Sequence, residues 1–211
     1  MASKYYPVCV SLEGRRILIV GGGNVALRKI ENLMDYESDI TVVSPEVHDK
    51  IEYFAERNVV KLEKREYESP EAKNYGLVIS ASDSIEVNQK VYDDCEEANI
   101  LVNVVDNPPL CTFIVPAVVK RNHLTVSVST DGKAPFLAGY LRLILEDIFP
   151  KHWSKIVGYA HSLREKANTK YRGQSKKRSE CFTNFLSADW KTLIKEKSEQ
   201  EIEEELEKML E

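Results

Sequence analysis

The sequence predicts an α/β protein in which a Rossmann-like, doubly wound parallel sheet is followed by a small α+β segment and a helical C-terminal part. Three observations indicate this. In the first half, short apolar runs typical of buried strands alternate with segments of helical periodicity. Residues 112–130 are rich in β-branched side chains and precede one amphipathic helix, and the chain has helical character from Pro150 onward. We therefore expect three domains, at 1–112, 113–149 and 150–211.

Strand-like and helix-like segments alternate along the first domain. The predicted strands are 17–20, 39–44, 59–65, 76–80 and 100–105, and the predicted helices are 24–34, 46–57 and 84–98. Alternating charge in 59–65 indicates that this strand lies at an edge of the sheet. Because ligands of open α/β sheets bind outside the carboxyl ends of the strands, the loops that follow the strands are expected to form one binding rim.

The second domain is predicted to be a hairpin and a helix. Asn107-Pro108-Pro109 interrupts the first pattern. Two β-rich runs, 112–120 and 124–130, are joined by the short polar connection Arg121-Asn122-His123, and residues 135–149 have the pattern of an amphipathic helix. A strand pair and one helix cannot bury both of their faces alone, so we expect this segment to mediate homodimerisation.

Composition and charge argue against several function classes. The net charge of −5 over 211 residues gives no reason to expect nucleic-acid binding, and no apolar run approaches the roughly 20 residues that cross a membrane. Residues 1–7 lack the apolar core of a secretory leader. The four cysteines are widely spaced and form no metal-ligand pattern with the histidines. We therefore expect a cytoplasmic protein without a metal site.

A run of consecutive glycines follows the first predicted strand. These residues are Gly21, Gly22 and Gly23. With Ala26 they fit the G-x-G-x-x-A pattern, placed between a strand and a helix, that cradles a dinucleotide pyrophosphate. Glycine lets a phosphate approach the main chain, and the helix that begins at Asn24 offers it unpaired N–H groups. The pattern predicts a nicotinamide or similar cofactor; the alternative is a glycine-rich turn that binds no ligand.

The loop after the second strand, Ser44-Pro45-Glu46, is expected beside the glycines. Dinucleotide-binding folds usually carry an acid here that holds the adenosine ribose. Ser44 takes that place, and Glu46 is the nearest acid. Because no arginine is present here to select a 2′-phosphate, we favour NAD over NADP. The alternative role for Ser44 is a helix N-cap.

Two carboxylates, Asp83 and Asp106, are expected at the centre of the rim. Ser82-Asp83-Ser84 also has the pattern of a helix cap. Asp106 precedes Asn107-Pro108, so its alternative role is to start a turn. A carboxylate partly shielded from water beside a bound cofactor would be a suitable general base, which makes Asp106 the candidate for that role.

Basic residues in the second half of the chain are candidates for anion contacts. Lys133 lies in the loop before the amphipathic helix and Arg142 lies within it; the alternative for this loop is a capped turn without a ligand. The basic run at 164–178 is either a solvated surface or a patch for an anionic substrate, with the first favoured. The acidic residues at 195–211 form either a terminal helix or a frayed tail.

A series of short motifs occurs in order along the chain. They are Tyr6-Pro7-Val8, Ile19-Val20-Gly21-Gly22-Gly23, Val25-Ala26-Leu27-Arg28-Lys29, Thr41-Val42-Val43-Ser44-Pro45, Ala81-Ser82-Asp83, Asn88, Asn103-Val104-Val105-Asp106, Phe113-Ile114-Val115-Pro116 and Ser129-Thr130-Asp131-Gly132-Lys133-Ala134-Pro135. This ordered set resembles the precorrin-2 dehydrogenase (siroheme synthase N-terminal-like) family. Two departures concern the last motif: Asp131 replaces a glycine of the family's turn, and Thr130 stands where some relatives carry a phosphorylatable serine.

The resemblance implies an enzyme, a homodimer that oxidises the tetrapyrrole precorrin-2 to sirohydrochlorin with NAD. It implies that Asp106 is the catalytic aspartate. It places cofactor contacts on the loops after the first two strands, and we add Ser82 on the same rim. The predicted cofactor contacts are Gly21, Gly22, Gly23, Asn24, Val25, Pro45, Glu46 and Ser82. Because precorrin-2 carries many carboxylates, the basic residues Arg28, Lys133 and Arg142 are predicted to contact it.

Two alternatives stay open. Some members of the family also insert ferrous iron into sirohydrochlorin, so the chain is either a dehydrogenase alone, which we favour, or a dehydrogenase and ferrochelatase. The second alternative is an NAD-sensing regulatory module, which would resemble this chain only over its Rossmann half.

Overall fold

The computed structural model describes residues 4–36 and 38–211. Residues 1–3, part of the segment considered above for a leader, lie outside the described residues. The chain forms two compact units, Met1–Val115 and Pro116–Glu211. The three-part domain division, including its boundary at 149–150, stays a prediction. No helix within the described ranges has the length and apolarity needed to cross a membrane.

The first unit contains a five-stranded parallel sheet with strand order β3-β2-β1-β4-β5. The strands are β1 (Arg16–Val20), β2 (Asp39–Val43), β3 (Lys61–Glu63), β4 (Leu77–Ser80) and β5 (Leu101–Val104). The predicted fold class and the edge position of the third strand are confirmed. Because β1 lies between β2 and β4, the chain direction along the sheet reverses there, at the place where such folds bind their ligands.

Helices cover both faces of this sheet, as the burial of both faces of β1 requires. They are α1 (Asn24–Leu33), α2 (Asp49–Glu56) and α3 (Ile85–Glu97). Ile17 and Ile19 pack in a core cluster that includes Ile30 of α1 and residues of α2. Leu18 packs in a second cluster with Val91 of α3. The strands that carry the site loops at their carboxyl ends are therefore packed on both faces.

Two predicted elements begin at least three residues too early, and each of these differences has a local cause. α2 begins at Asp49 instead of residue 46, since the His48 side chain caps it by accepting a hydrogen bond from the Lys50 N–H at 3.1 Å. The first hairpin strand begins at Ala117 instead of residue 112. Thr112 instead joins the edge of β5, where its N–H donates to the Val102 carbonyl at 2.9 Å.

The second unit begins with an antiparallel hairpin and continues with helices only. Its elements are β6 (Ala117–Arg121), β7 (Leu124–Val128), α4 (Pro135–Ile148), α5 (Trp153–Lys170), α6 (Ser175–Ser187), α7 (Trp190–Glu196) and α8 (Glu199–Lys208). The predicted hairpin and helical C-terminal part are confirmed. The acidic end of the chain is helical, because Ser198 and Glu201 form a capping box and Leu206 is buried in the core of this unit.

Candidate functional site

Two of the three glycines after β1 are required by packing within the protein. Gly21 has φ +111°, and a Cβ at this position would lie 2.4 Å from the Ala81 carbonyl oxygen. A Cβ at Gly22 would lie 2.2 Å from the Glu46 carbonyl oxygen. The absence of these side chains lets the loops after β4 and β2 pack directly on the turn. The expected meeting of the three loops at one edge of the sheet is therefore observed.

Gly23 differs from its two neighbours because it faces open space. A Cβ there would meet no atom within 4 Å, and its φ of −79° is accessible to any residue. Gly23, Asn24 and Val25 are exposed, and α1 begins without a side-chain cap or an acidic residue in its first turn. The first N–H groups of α1 have no partner within the helix. An anion such as a phosphate can approach them at this point.

The loop after β2 places Pro45 and Glu46 on the surface beside the glycine turn. Ser44 does not cap α2, which is the role that His48 takes; its hydroxyl donates to the Glu46 carbonyl at 2.6 Å and folds this loop. The backbone of Glu46 is thereby fixed against Gly22, while its carboxylate is on an exposed residue.

In the loop after β4, two serines have structural roles and the aspartate between them does not. Ser84 caps α3 by accepting a hydrogen bond from the Val87 N–H at 3.3 Å, as the predicted cap motif requires. Ser82 is half-buried and its hydroxyl accepts from the Ser84 N–H at 3.2 Å. Asp83 is exposed, so its carboxylate is not needed for the cap.

Asp106 is exposed, two residues after the end of β5, in the left-handed region with φ +58°. Because β5 is an edge strand, Asp106 lies at the edge of the rim and the expectation that it lies at the centre is wrong. Its carboxylate forms no hydrogen bond or ion pair among residues 4–36 and 38–211 and is therefore available to accept a proton. Gly23 and Asp106 belong to the same rim, since each follows a strand of one parallel sheet.

Lys29 on α1, which was not among the predicted site residues, interacts electrostatically with Asp106. Its side chain is half-buried, and its ammonium forms no ion pair or hydrogen bond within the described ranges. Burial lowers the pKa of Lys29, while the nearby Asp106 carboxylate and, to a lesser extent, Cys111 act in the opposite direction. An ammonium that is partly removed from water without a direct partner is costly, and such residues are typical of functional sites. Its neighbour Arg28 is exposed.

Replacing Lys29 with methionine is expected to stabilise the protein at pH 7. Since the pKa is lowered in the folded state, the unfolded chain binds the proton more tightly, and the wild type gains stability as pH rises towards the ordinary value of 10.5. In a chain of this size, each kcal/mol of added stability raises the melting temperature by about 2–4 °C. The advantage of Lys29→Met should shrink between neutral pH and pH 10.5.

Thermal unfolding followed by circular dichroism at several pH values measures this effect. Arg28→Met is the matched control, since the exposed Arg28 side chain should leave the melting temperature unchanged. A lower melting temperature for Lys29→Met at pH 7 would mean that the ammonium is held favourably in the folded protein.

The basic candidates of the second unit differ in how they are engaged. Lys133 is exposed, on a turn in which the Thr130 hydroxyl accepts a hydrogen bond from the Ala134 N–H at 3.1 Å. Arg142 forms an ion pair with Glu146 one helical turn away. In the basic run, Lys166 pairs with Glu203 at 2.8 Å and with Glu207 at 2.7 Å. The acidic helix α8 thus neutralises part of the run.

Comparison with known proteins identifies the family. A family model described as "Putative NAD(P)-binding" matches residues 8–117, which is more than half of the chain. The chain belongs to this family. Two siroheme synthases confirm the resemblance seen in the motifs. The one from Pseudoalteromonas atlantica is 37% identical over 175 residues, covering 83% of this chain and 38% of the relative. Siroheme synthase 3 of Aeromonas hydrophila is 36% identical over 185 residues, covering 88% and 39%.

This member of the family therefore spans about two fifths of the length of the curated relatives it matches. Among solved structures, "SirC, precorrin-2 dehydrogenase" superposes with a TM-score of 0.75 at 23% identity, covering 97% of this chain and 100% of that one. The match extends through both compact units and shows that the two proteins share a fold.

Proposed function

We propose that the chain is an NAD-dependent dehydrogenase that oxidises precorrin-2 to sirohydrochlorin. The observation that carries this proposal is the pairing of an open, uncapped glycine turn at Gly23 with the unpaired carboxylate of Asp106 on one rim of the sheet. The names of the relatives support the substrate, since they are siroheme synthases and a precorrin-2 dehydrogenase.

The residues around the turn fit a dinucleotide. Gly23 leaves room for a pyrophosphate against the free N–H groups of Asn24 and Val25, whereas Gly21 and Gly22 shape the turn. Pro45 and Glu46, exposed on the neighbouring loop, would contact the adenosine end. No arginine occurs in the Ser44-Pro45-Glu46 loop, which favours NAD over NADP. When bound, NAD⁺ supplies the hydride acceptor.

The chain's own residues supply orientation and a base. As the substrate loses a hydride and a proton, Asp106 takes the proton, and the macrocycle gains conjugation. Ser82 would contact the cofactor at the carboxyl end of β4, while Arg28, Lys133 and Arg142 are proposed contacts for the carboxylates of the substrate. Arg142 must then exchange its bond to Glu146 for one to the substrate.

The deciding experiment is an anaerobic incubation of the purified protein with precorrin-2 and NAD⁺ in the absence of added metal. We expect NADH to form together with the absorption spectrum of sirohydrochlorin, and both to require the protein. NAD⁺ binding without conversion would overturn the proposal and favour the sensing module. A parallel incubation of sirohydrochlorin with Fe²⁺, compared with the spontaneous rate, decides whether the chain is also a ferrochelatase.

We also propose that the protein is a homodimer that associates through α4. One face of this helix is apolar and exposed: Phe136 is 82% exposed, Tyr140 60% and Leu143 52%. Large apolar side chains exposed together on one face of a helix are typical of an interface between proteins.

The four free cysteines support our further proposal that the protein acts in the cytoplasm.

A charge placed on this face is expected to separate the subunits. Leu143→Glu should shift the mass measured by light scattering from that of a dimer to that of a monomer, because the carboxylate would be buried without a partner. Leu186→Glu is the control, since Leu186 is 81% exposed but lies on α6. A dimer that survives Leu143→Glu would show that α4 is not the interface.

A further inference from the structure

We propose that Cys111 is a positioning residue for Asp106, because its thiol closes the loop that carries the candidate base. We name residues 105–110 the Asp106 loop. The inference rests on the proposed function, in which Asp106 accepts a proton. It assigns to Cys111 a role other than that of a small buried side chain.

The thiol of Cys111 lies between the two ends of the turn that contains Asp106. Its Sγ atom is 3.2 Å from the Val104 carbonyl oxygen and 3.3 Å from the Asn107 carbonyl oxygen. A thiol carries one proton, so it donates to one of these oxygens and contacts the other. The two carbonyls belong to the residues on either side of Val105-Asp106, and the sulfur therefore holds the turn closed.

A second group of contacts fixes the sulfur itself to the edge of the sheet. Cys111 forms an isolated bridge with Asn103, a buried residue of β5. The Asn103 amide donates to the Phe113 carbonyl at 3.1 Å and lies 3.5 Å from Sγ. One residue earlier on β5, the Val102 N–H donates to the Thr112 hydroxyl at 2.8 Å. The segment that returns from the Asp106 loop, residues 111–113, is thus bound by three consecutive residues of β5, which are Val102, Asn103 and Val104.

The Cys111 contacts also bear on the conformation of Asp106. Its φ of +58° lies in the left-handed region, which Asp adopts more readily than most residues with a Cβ. The contacts that close the turn favour this conformation. A side chain that moves by about 1 Å from its reacting position can lose a factor of about 10² in rate. The Cys111 contacts are therefore expected to act on the chemical step.

Cys111 is suited to remain a hydrogen-bond donor at neutral pH. Only 4% of the residue is exposed. Burial raises the pKa of its thiol above the ordinary value, with a smaller opposing effect from its hydrogen bond to Val104. The proton that bridges the loop is therefore retained, and the thiol is a poor nucleophile.

The test compares Cys111→Ala and Cys111→Ser with Cys95→Ala. Cys95 is the matched control, because it is fully buried in the same core cluster but lies on α3. We expect Cys111→Ala to lower kcat by about 10- to 100-fold, with KM for NAD⁺ unchanged within about twofold. Cys111→Ser, which keeps a donor, should recover most of the rate. Cys95→Ala should lower the melting temperature and leave kcat unchanged.

Combination with a variant of the base distinguishes positioning from general destabilisation. If Cys111 acts through Asp106, the double variant Asp106→Asn/Cys111→Ala should be no slower than Asp106→Asn alone. Multiplied losses would overturn the proposal, and so would a kcat for Cys111→Ala equal to that of Cys95→Ala.

Amide hydrogen exchange keeps this inference separate from the proposed function. Exchange in residues 105–110 should accelerate in Cys111→Ala and not in Cys95→Ala, whatever reaction the protein catalyses. Faster exchange in a protein that does not oxidise precorrin-2 would refute the proposed function and leave the structural role of Cys111 in place. Unchanged exchange would overturn that role.

Discussion

Gly23→Ala is expected to weaken NAD⁺ binding at least about tenfold while leaving the melting temperature unchanged. The added Cβ meets no protein atom, and the backbone angle of −79° accepts any residue, so folding is not opposed. The methyl group would instead occupy space in front of the first N–H groups of α1, where the pyrophosphate must approach. Isothermal titration with NAD⁺ and thermal unfolding measure the two quantities separately.

Gly22→Ala provides the contrasting control. Its Cβ would lie 2.2 Å from the Glu46 carbonyl oxygen and 2.5 Å from the Val47 side chain, so the loop after β2 must move. We expect a loss of about 1–3 kcal/mol in the free energy of unfolding. If Gly23→Ala binds NAD⁺ as the wild type does, the pyrophosphate does not lie on the glycine turn.

Asp106→Asn is expected to lower kcat for precorrin-2 oxidation by a factor of about 10²–10⁴, the usual contribution of a general base. Asparagine adopts the left-handed region as readily as aspartate, so the φ of +58° is retained and only the basic carboxylate is lost. NAD⁺ affinity and the melting temperature should stay those of the wild type. Single-turnover measurements at saturating NAD⁺ isolate the chemical step.

Asp83→Asn is the matched control for this prediction. Asp83 is an exposed carboxylate on the same rim that follows β4, the strand beside β5, and Ser84 caps α3 without it. We expect the Asp83 variant to retain the wild-type rate. Equal losses in both variants would indicate a general effect of negative charge at the rim, and an undiminished rate in Asp106→Asn would remove Asp106 from the mechanism.

The sheet and its order of elements could be predicted because each strand depends on consecutive residues. Ile17 to Val20 are apolar without interruption, which is typical of a strand buried on both faces. The glycine turn could also be located, because its three glycines are consecutive in the sequence. The different role of each glycine could not be predicted. The difference between Gly22 and Gly23 depends on the Glu46 backbone, which only the folded chain brings near.

Lys29 and Cys111 show where prediction from sequence ends. Lys29 directly follows Arg28 on α1, and no local feature of the sequence distinguishes the two residues. The contacts of Cys111 with two carbonyls arise only when the chain returns to β5. Both residues matter because they interact with Asp106 or with the loop that carries it, and Asp106 lies far from Lys29 in the sequence.

The ion pairs between α8 and the basic run affect the electrostatic attraction between the second unit and charged molecules in solution. Lys166 shares its charge with Glu203 and Glu207, and Lys155 lies 3.1 Å from Glu199. Opposite charges held this close produce a field that declines rapidly with distance, so a polyanion diffusing towards these helices is attracted less strongly than the unpaired basic run would attract it. The rate at which it is captured should consequently depend less on salt concentration than a segment so rich in charge would imply.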